Sequence, residues 1–142
     1  MEHQENSPTL GDINKEWHRV RPRLEQLCID NPQDWTPLDV KRECVEGCGI
    51  FFCNDEGFVV VKIYTSEYTG EKTFFIWIAC AYEIGHEYVK KHLPFFDFIA
   101  NKMGCKWIET ASPVDALEPY LVGCGFTVRT RFFARQVNEF ET

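Results

Sequence analysis

The order of sequence patterns between residues 105 and 137 constrains the fold most strongly. A β-prone run over 105–110 is followed at 112–115 by Ser-Pro-Val-Asp, which combines a helix N-cap, a proline at the first helical position and an acid in the first turn. The predicted short helix ends by Gly123, and a Gly-Phe turn then leads into a predicted strand over 127–137. Strand, helix and strand in this order predict a crossover connection within one sheet.

Three predicted strands precede that segment, over 49–53, 58–65 and 73–81. Their connections are too short for crossovers, so the three strands are expected to form an antiparallel meander. The third strand is continuously apolar, which predicts burial on both of its faces and a central position. We therefore expect one mixed sheet in which the strand through Trp77 lies beside the strand through Trp107.

Two helices are predicted before the meander. The first spans 14–30 with apolar residues at helical spacing, and Pro22 is expected to kink or divide it. The second begins after Thr36, which is a typical N-cap followed by proline and then by an acid three residues on. It is expected to end near Gly47, a plausible C-terminal glycine.

A further helical region is predicted over about 85–103, where Pro94 should cause a kink or separate two segments. Residues 1–12 are polar and predict a flexible leader, and 13–142 are expected to form a single domain. The predicted fold class is α/β, an α+β mixed sheet with helices on both faces.

Composition narrows the possible functions. Hydrophobic residues make up 44% of the chain and aromatic residues 15%, which is enough apolar surface for a core and argues against disorder. The formal net charge of −7 repels phosphate backbones, so no nucleic-acid partner is expected. No apolar run of about 18 residues predicts a membrane span. The start of the chain lacks signal-peptide regions, so a cytoplasmic location is expected.

The cysteines predict free thiols and no metal site. Their number is odd and no export signal is present, which favours the reduced state. Three of them are closely spaced, but no second Cys or His pair accompanies them as a zinc site would need. Small buried apolar side chains are the favoured interpretation. The seven are Cys28, Cys44, Cys48, Cys53, Cys80, Cys105 and Cys124.

Four short motifs, taken in order, connect this chain to a known family. They are Thr36-Pro37-Leu38-Asp39-Val40 with Glu46-Gly47, Ile76-Trp77-Ile78-Ala79, Gly104-Cys105 with Ile108-Glu109, and Leu121 with Gly125-Phe126. With this order and spacing, the span from about 15 to 137 resembles the GNAT superfamily of N-acetyltransferases. More narrowly, it resembles the short GNAT-like proteins encoded among the structural genes of tailed bacteriophages. The resemblance implies a GNAT-like acyl-CoA N-acyltransferase fold.

The resemblance also implies where acetyl-CoA would bind. In this family an amine attacks the thioester directly, a splayed strand pairs with pantetheine, and amides at a helix N-terminus hold the pyrophosphate. The corresponding cofactor-binding positions here are Ile78, Ala79, Ala81, Gly85 and His86.

The phosphate loop, however, departs from the family pattern. That pattern is Arg/Gln-x-x-Gly-x-Gly/Ala, whereas residues 82–87 are Tyr-Glu-Ile-Gly-His-Glu, with one glycine and no arginine. Glu83 and Glu87 should repel a pyrophosphate by up to about 4 kcal/mol for each pair at ~4 Å and an effective dielectric of ~20. No bound cofactor is therefore expected. If the cleft itself is filled, Tyr82, Phe95 and Phe96 are the side chains expected inside it.

The family's general acid is only partly matched. A tyrosine commonly lies four residues before the glycine of Gly-Phe, but Leu121 occupies that position and Tyr120 is one residue away. Such an offset turns a side chain by about 100° around a helix, although Pro119 could distort the helix and bend Tyr120 back. If the protein is active, Tyr120 is the catalytic acid candidate; a tyrosine at the edge of the core is the alternative.

Three residues are candidates for the general base: Glu109 at its strand end, Glu83 and His86. Of these, Glu109 is the catalytic candidate if the protein is active, because burial could raise the pKa of a carboxylate at a strand end. Solvation of an exposed glutamate is the alternative.

The final predicted strand carries Arg129, Arg131 and Arg135 on one face. They could bind an anion, but pairing with the many acidic residues is favoured. The superfamily usually adds another strand after this one, and its lack here would leave an edge for another copy or another protein.

The resemblance implies a phage-encoded GNAT-fold protein, and the altered phosphate loop, the displaced tyrosine and the open edge favour a noncatalytic one with a degenerate acetyl-CoA site. It would act in virion assembly or as a virion-associated protein, in the host cytoplasm, through a protein partner or self-association by the C-terminal strand. The alternative is an acetyl-CoA-dependent N-acetyltransferase with a nonstandard phosphate loop.

Overall fold

The computed structural model describes residues 6–83, 87–112 and 117–138. Within these residues the chain forms five strands and four helices. In chain order they are β1 (Thr9–Leu10), α1 (Ile13–Asp30), α2 (Pro37–Glu46), β2 (Ile50–Cys53), β3 (Gly57–Thr65), β4 (Lys72–Ala81), α3 (Tyr88–Lys102), β5 (Cys105–Thr110) and α4 (Glu118–Gly123).

The five strands form one mixed sheet in the order β1-β2-β3-β4-β5. Neighbouring strands are antiparallel from β1 to β4, which confirms the predicted meander. β4 and β5 are parallel, as a crossover through α3 requires, so the strand through Trp77 does lie beside the strand through Trp107. The fold class predicted from the sequence, a mixed α/β sheet, is confirmed.

Helices cover both faces of the sheet, and each face has its own core. One core joins α1 and α2 to the sheet through residues such as Leu24, Val40 and Phe58. The other joins α3 to the sheet through Phe96 and Phe74. Fully burying one such side chain contributes about 1.5–3 kcal/mol, so both layers contribute to stability. The prediction that β4 is buried on both faces is correct.

The second helix begins as the sequence predicts. The Thr36 hydroxyl accepts a hydrogen bond from the Asp39 N–H at 3.3 Å, and the Asp39 carboxylate accepts the Thr36 N–H at 2.8 Å. These bonds to Thr36 hold the pKa of Asp39 below its usual value. At the other end Gly47 has φ 87°, a left-handed conformation that glycine adopts without strain.

Neither interior proline divides its helix. Pro22 lies inside α1 and Pro94 inside α3, and each helix is a single element, so of the two predicted alternatives, a kink or a division, the division does not occur. The turns on both sides of Pro22 are anchored by Val20 and Leu24, which are fully buried. Packing of this kind offsets the lost backbone hydrogen bond. No helix among the described residues is long and apolar enough to cross a membrane.

The chain joins the sheet earlier than the predicted leader boundary at residue 12. Thr9 and Leu10 pair with Cys53 and Phe52 as β1. The Asp12 carboxylate then caps α1 by accepting the N–H of Asn14 at 2.9 Å. An aspartate at this position satisfies a first-turn amide that the helix itself cannot pair.

The strand predicted over 127–137 does not form, and this prediction is wrong. Residues 127–138 are exposed throughout and belong to no strand. A strand needs a neighbour for its backbone and a surface for its apolar side chains. Phe132 and Phe133 find no such surface, since they are 93% and 92% exposed. The preceding helix is described from Glu118, and the predicted start at 113–115 lies outside the described residues.

Candidate functional site

The strands β4 and β5 separate halfway along β4. Their parallel pairing ends where Ile76 faces Thr110, and the Thr110 hydroxyl donates a final hydrogen bond to the Ile76 carbonyl at 3.0 Å. β4 continues for five more residues, 77–81, while its opposite edge stays paired with β3 up to Gly57. Along these five residues the backbone facing away from β3 has no partner in β5, and at its far end the Ala81 carbonyl accepts a hydrogen bond from Arg23 at 3.0 Å. The part of this edge before Ala81 can pair with an extended ligand.

A β-bulge at Trp77 lies at the point of separation. Val60 faces Ile78 and Val61 faces Ile76, which leaves Trp77 as the extra residue in β4. The bulge inverts the side-chain alternation: Ile76 packs on the α3 face, whereas Ile78 packs on the face covered by α1 and α2. A bulge also increases local twist, which accounts for β4 diverging from β5 here.

The predicted cofactor-binding residues of β4 lie on this open stretch. Ile78 is buried in the core beneath α1 and α2 and pairs with Val60 on β3. Ala79 and Ala81 pack on the α3 face, where their small side chains leave room beside the backbone. Gly85 and His86, the other two predicted positions, lie outside the described residues.

The start of α3 is the place where the family resemblance puts the pyrophosphate. Glu87 is the N-cap residue of α3, but its side chain makes no capping hydrogen bond. Instead, the hydroxyl of Tyr120 accepts the backbone N–H of Lys90 at 2.9 Å. Glu83 and Glu87 are both exposed near this end of the helix. One first-turn amide is therefore already bonded, and the N-cap residue of the helix is an acid.

Tyr120 is thus held by α3 and remains protonated. Burial raises the pKa of its phenol above the usual value, and the hydrogen bond from Lys90 opposes that rise. A neutral phenol that accepts one N–H can still donate its own proton. Pro119 lies in the first turn of α4, where a missing N–H is tolerated, so the expected distortion by Pro119 is not needed to place Tyr120.

Glu109, the candidate general base, is held in an exposed ion pair. Its carboxylate lies 2.6 Å from Nη1 of Arg129, and the two side chains are 40% and 54% exposed. The Arg129 guanidinium also stacks 4.3 Å above the ring centre of Trp107. The contact engages one of the two carboxylate oxygens, Oε2, with Arg129.

The second arginine of the run makes a similar contact. Arg131 pairs with Glu118 at 3.0 Å. Together with the Arg129 contact, this supports the favoured interpretation that these arginines pair with acidic residues rather than form an anion site.

A polar cluster that the sequence did not predict fixes the first turns of α3. His92 is only 2% exposed, and its Nε2 lies 2.9 Å from the carboxylate of Glu56, which also pairs with Lys91. The Tyr88 hydroxyl donates to the side-chain oxygen of Asn54 at 3.1 Å, and burial raises the pKa of that phenol. A histidine and a tyrosine one helical turn apart on an apolar face were the available signal.

The side chains expected to fill the cleft do not meet in one place. Phe95 and Phe96 belong to the core beneath α3. Tyr82 packs on the opposite face, against Phe58 and beneath the Arg19 guanidinium at 4.6 Å. Burial raises the pKa of Tyr82 to about 12, and its buried hydroxyl has no hydrogen-bond partner among the described residues. The expectation that all three share one cleft is wrong.

All seven cysteines are free thiols. Burial raises the pKa of Cys44 to about 11, while Cys53 is buried in the same core and Cys48 is exposed. Buried thiols that keep their proton, as Cys44 and Cys53 do, are poor metal ligands. In residues 6–83, 87–112 and 117–138, no three histidine, cysteine or acidic side chains are grouped so as to hold a metal ion.

Comparisons with known proteins identify the fold. No family model and no curated protein matches this sequence. Solved structures do match: a probable acetyltransferase shares 8% identity at a TM-score of 0.69, covering 94% of this chain and 99% of that one. Glucosamine-6-phosphate N-acetyltransferase from Arabidopsis thaliana shares 12% identity at 0.68, covering 93% and 98%.

An aminoglycoside acetyltransferase from an uncultured soil metagenomic sample shares 9% identity at a TM-score of 0.64, covering 93% of this chain and 96% of that one. The chain therefore has the GNAT fold along most of its length. At these identities the similarity establishes the fold alone.

Proposed function

We propose that this protein is a GNAT-fold protein with a degenerate acetyl-CoA site, which acts through protein contacts and not by acetyl transfer. The observation that carries the proposal is the hydrogen bond from the Lys90 N–H to the Tyr120 hydroxyl. It occupies the helix end that would hold a pyrophosphate. Glu87 stands at the N-cap of the same helix, where its charge already offsets the positive end of the helix.

Charge opposes cofactor binding more strongly than the Tyr120 hydrogen bond does. Replacing one neutral hydrogen bond costs about 1 kcal/mol. A carboxylate ~4 Å from a phosphate, at an effective dielectric of ~20, costs up to about 4 kcal/mol. Since each 1.4 kcal/mol is about tenfold in affinity, Glu83 and Glu87 are the main obstacle. Acetyl-CoA is therefore not an expected resident cofactor.

A second candidate function is acetyl-CoA-dependent N-acetylation through a nonstandard phosphate loop. The separation of β4 from β5 beyond Ile76 favours it, because an open strand edge can pair with pantetheine. In this reading the backbone of Ala79 and Ala81 would hold the cofactor. Tyr120 would protonate the departing thiolate, since its hydroxyl can donate while it accepts the Lys90 N–H.

Glu109, whose Oε2 is paired with Arg129, would act as the base in that reaction. An acceptor amine that approached Oε2 would have to separate this ion pair. Its exposure means that the separation itself costs little.

A more specific form of the first proposal is that the protein is encoded by a tailed bacteriophage and works in virion assembly or stays with the virion. Its support is the resemblance of the sequence motifs. Mass spectrometry of purified particles tests virion association. Electron microscopy of lysates made without the gene tests a role in assembly, for which incomplete particles are the expected result.

A thermal-shift titration with acetyl-CoA, paired with an assay for released CoA thiol, tests the noncatalytic proposal. A ligand at 100 times its dissociation constant stabilises a protein by about 2.7 kcal/mol, which would be visible. We expect no shift and no thiol release with a mixture of primary amines. Thiol release that is abolished by both Tyr120→Phe and Glu109→Gln would establish the enzymatic alternative.

A further inference from the structure

The side chain of Arg23 reaches the open edge of β4 from helix α1. Its Nε donates a hydrogen bond to the Ala81 carbonyl at 3.0 Å. Burial raises the pKa of the neighbouring Cys80 thiol, and the Arg23 guanidinium opposes that rise, which places the positive charge beside the last residues of the strand. An arginine has more N–H donors than these two contacts use. The guanidinium therefore has donors left for a ligand.

Among the described residues, Arg23 differs from the other two arginines of α1 in that no carboxylate pairs with it. Arg19 pairs with Glu16 at 2.8 Å and Arg21 with Glu25 at 3.4 Å. Arg23 is nevertheless partly buried, in a chain with 22 acidic and 15 basic residues. A charge that is removed from bulk water is normally paired. An unpaired cation at an open strand edge indicates a site for an anion.

The backbone of β4 beside Arg23 determines which anion fits. The Tyr82 N–H donates to the Glu56 carbonyl at 2.9 Å, so the backbone groups of Tyr82 point toward β3. Because the backbone groups of successive strand residues point to opposite edges, those of Ala79 and Ala81 point to the open edge. Along that edge the Ala79 carbonyl, the Ala81 N–H and the Arg23 guanidinium follow one another, one acceptor and then two donors.

We propose that this edge binds the C-terminal end of a partner's peptide chain, in which a carboxylate follows a secondary amide. In a parallel strand arrangement the N–H of the last ligand residue donates to the Ala79 carbonyl. One carboxylate oxygen accepts the Ala81 N–H, and the other accepts a charge-assisted hydrogen bond from Arg23. Strand addition and capture of a terminal carboxylate are both recurring modes of peptide recognition. The preceding ligand residues continue along the edge toward Trp77.

The order of these groups distinguishes a peptide C-terminus from other anions. A phosphate or acetate ion has acceptors for both donors but no N–H for the Ala79 carbonyl. An N-acyl amino acid has all three groups, but it leaves the edge toward Trp77 unpaired. The inference rests on the proposed function, because it needs the edge to be free of acetyl-CoA, and it names the chemistry of the partner.

An NMR titration with acetyl-trialanine tests the proposal, and the same peptide ending in a carboxamide is the matched ligand. The acid form should shift the signals of the Ala81 N–H and the Arg23 Nε–H. It should bind about tenfold more tightly than the carboxamide, which lacks the charge. No shift at Ala81, equal binding of the two forms, or equally tight binding of acetate overturns the proposal. Equal affinity for N-acetylalanine overturns a peptide as the occupant.

Two charge-removing variants separate the contact of Arg23 from the general charge of α1. Arg23→Gln should weaken the binding of acetyl-trialanine about tenfold. Arg21→Gln removes the same charge from an exposed side chain of that helix and should leave binding unchanged. Equal losses in both variants overturn the proposal. Thermal unfolding shows whether each variant is folded, and the comparison of acid and carboxamide in the unmodified protein decides the matter if Arg23→Gln is not.

Acetyl-CoA added to the same samples separates this inference from the proposed function. We expect it to leave the peptide bound. Displacement of the peptide by acetyl-CoA contradicts the noncatalytic proposal, because it shows that the cofactor binds at this edge. If neither the peptide nor acetyl-CoA binds, only the peptide site is contradicted.

Discussion

A cofactor would contact two places in this protein: the open edge of β4 beyond Ile76, called here the strand end, and the start of α3, called here the helix end. The backbone groups of these two places differ in how they are hydrogen-bonded. At the strand end, β4 runs past Ile76 with an edge that β5 leaves open, and Ala79 and Ala81 crowd it little. At the helix end, the Lys90 N–H donates to the Tyr120 hydroxyl, and the N-cap residue Glu87 is negatively charged. The open strand edge is therefore available along part of its length, whereas the described part of the helix start has one amide already bonded and an acid at its N-cap.

The difference follows from what each end depends on. The bulge at Trp77 lets β4 place Ile76 in one core and Ile78 in the other, so the fold itself maintains the strand separation. A few exposed side chains set the helix end, and exposed side chains can change with little effect on stability. Because core packing alone maintains the separation of β4 from β5, that separation is weak evidence of catalytic activity. The side chains at the helix end are better evidence of whether a cofactor binds.

The largest expected effect tests whether packing maintains the strand end. Phe74→Ala removes a side chain that is fully buried beneath α3, and we expect a loss of about 3–5 kcal/mol in the free energy of unfolding. Urea denaturation measures it. Tyr68→Ala, at a position 92% exposed, is the control and should change stability by less than about 0.5 kcal/mol. A loss below about 1 kcal/mol for Phe74→Ala would mean that this core is not what holds β4.

The next largest effect is a loss of unfolding free energy at alkaline pH. It concerns the core next to the strand end, where Tyr82 directly follows β4. Burial raises the pKa of Tyr82 to about 12 and of Cys44 to about 11, so the folded state keeps these protons after the unfolded chain has lost them. Their contribution is complete below the unfolded pKa values near 9–10 and is lost as the pH rises toward the folded values. Stability should therefore fall steeply above about pH 9.

Tyr82→Phe checks that assignment, since the hydroxyl of Tyr82 is buried without a partner among the described residues. The variant should be at least as stable as the unmodified protein at pH 7, because an unsatisfied buried group is removed. It should also show a shallower alkaline decline in a series of urea titrations. An unchanged pH profile would show that Tyr82 does not contribute to it.

The smallest expected effect is at the helix end. Tyr120→Phe removes the acceptor of the Lys90 N–H and should cost about 1 kcal/mol of unfolding free energy. Hydrogen exchange of the Lys90 amide should accelerate at the same time, because the amide is left to water. Tyr64→Phe, in a half-exposed side chain on β3, is the control and should leave that amide unchanged. If the Lys90 amide exchanges as fast in the unmodified protein as in Tyr120→Phe, Tyr120 does not cap α3.

Local signals in the sequence predicted most of the fold. The capping box at Thr36 and the apolar run of β4 depend on residues close together in the chain, and both have the predicted form. The strand over 127–137 was wrong because β-propensity does not say whether a partner edge is available. The contact of Tyr120 with Lys90, and the pairing of His92 with Glu56, join segments that are distant along the chain, so no local pattern identifies the partner of either side chain.

For the candidate site, the sequence identified the loss of the phosphate-loop pattern and named Tyr120, Glu109 and the β4 residues. It did not reveal how Tyr120 and Glu109 are engaged, by Lys90 and by Arg129 respectively. Those partners are thirty and twenty residues away along the chain, so only the folded arrangement brings them together.

Calorimetric titration of acetyl-CoA into the unmodified protein and into a Glu83→Gln, Glu87→Gln variant tests the central claim most directly. We expect no saturable binding by the unmodified protein. The variant should bind better, because the repulsion of the pyrophosphate is removed, and its advantage should be larger at low salt, where charges are least screened. Micromolar binding by the unmodified protein would contradict the account and favour the acetyltransferase.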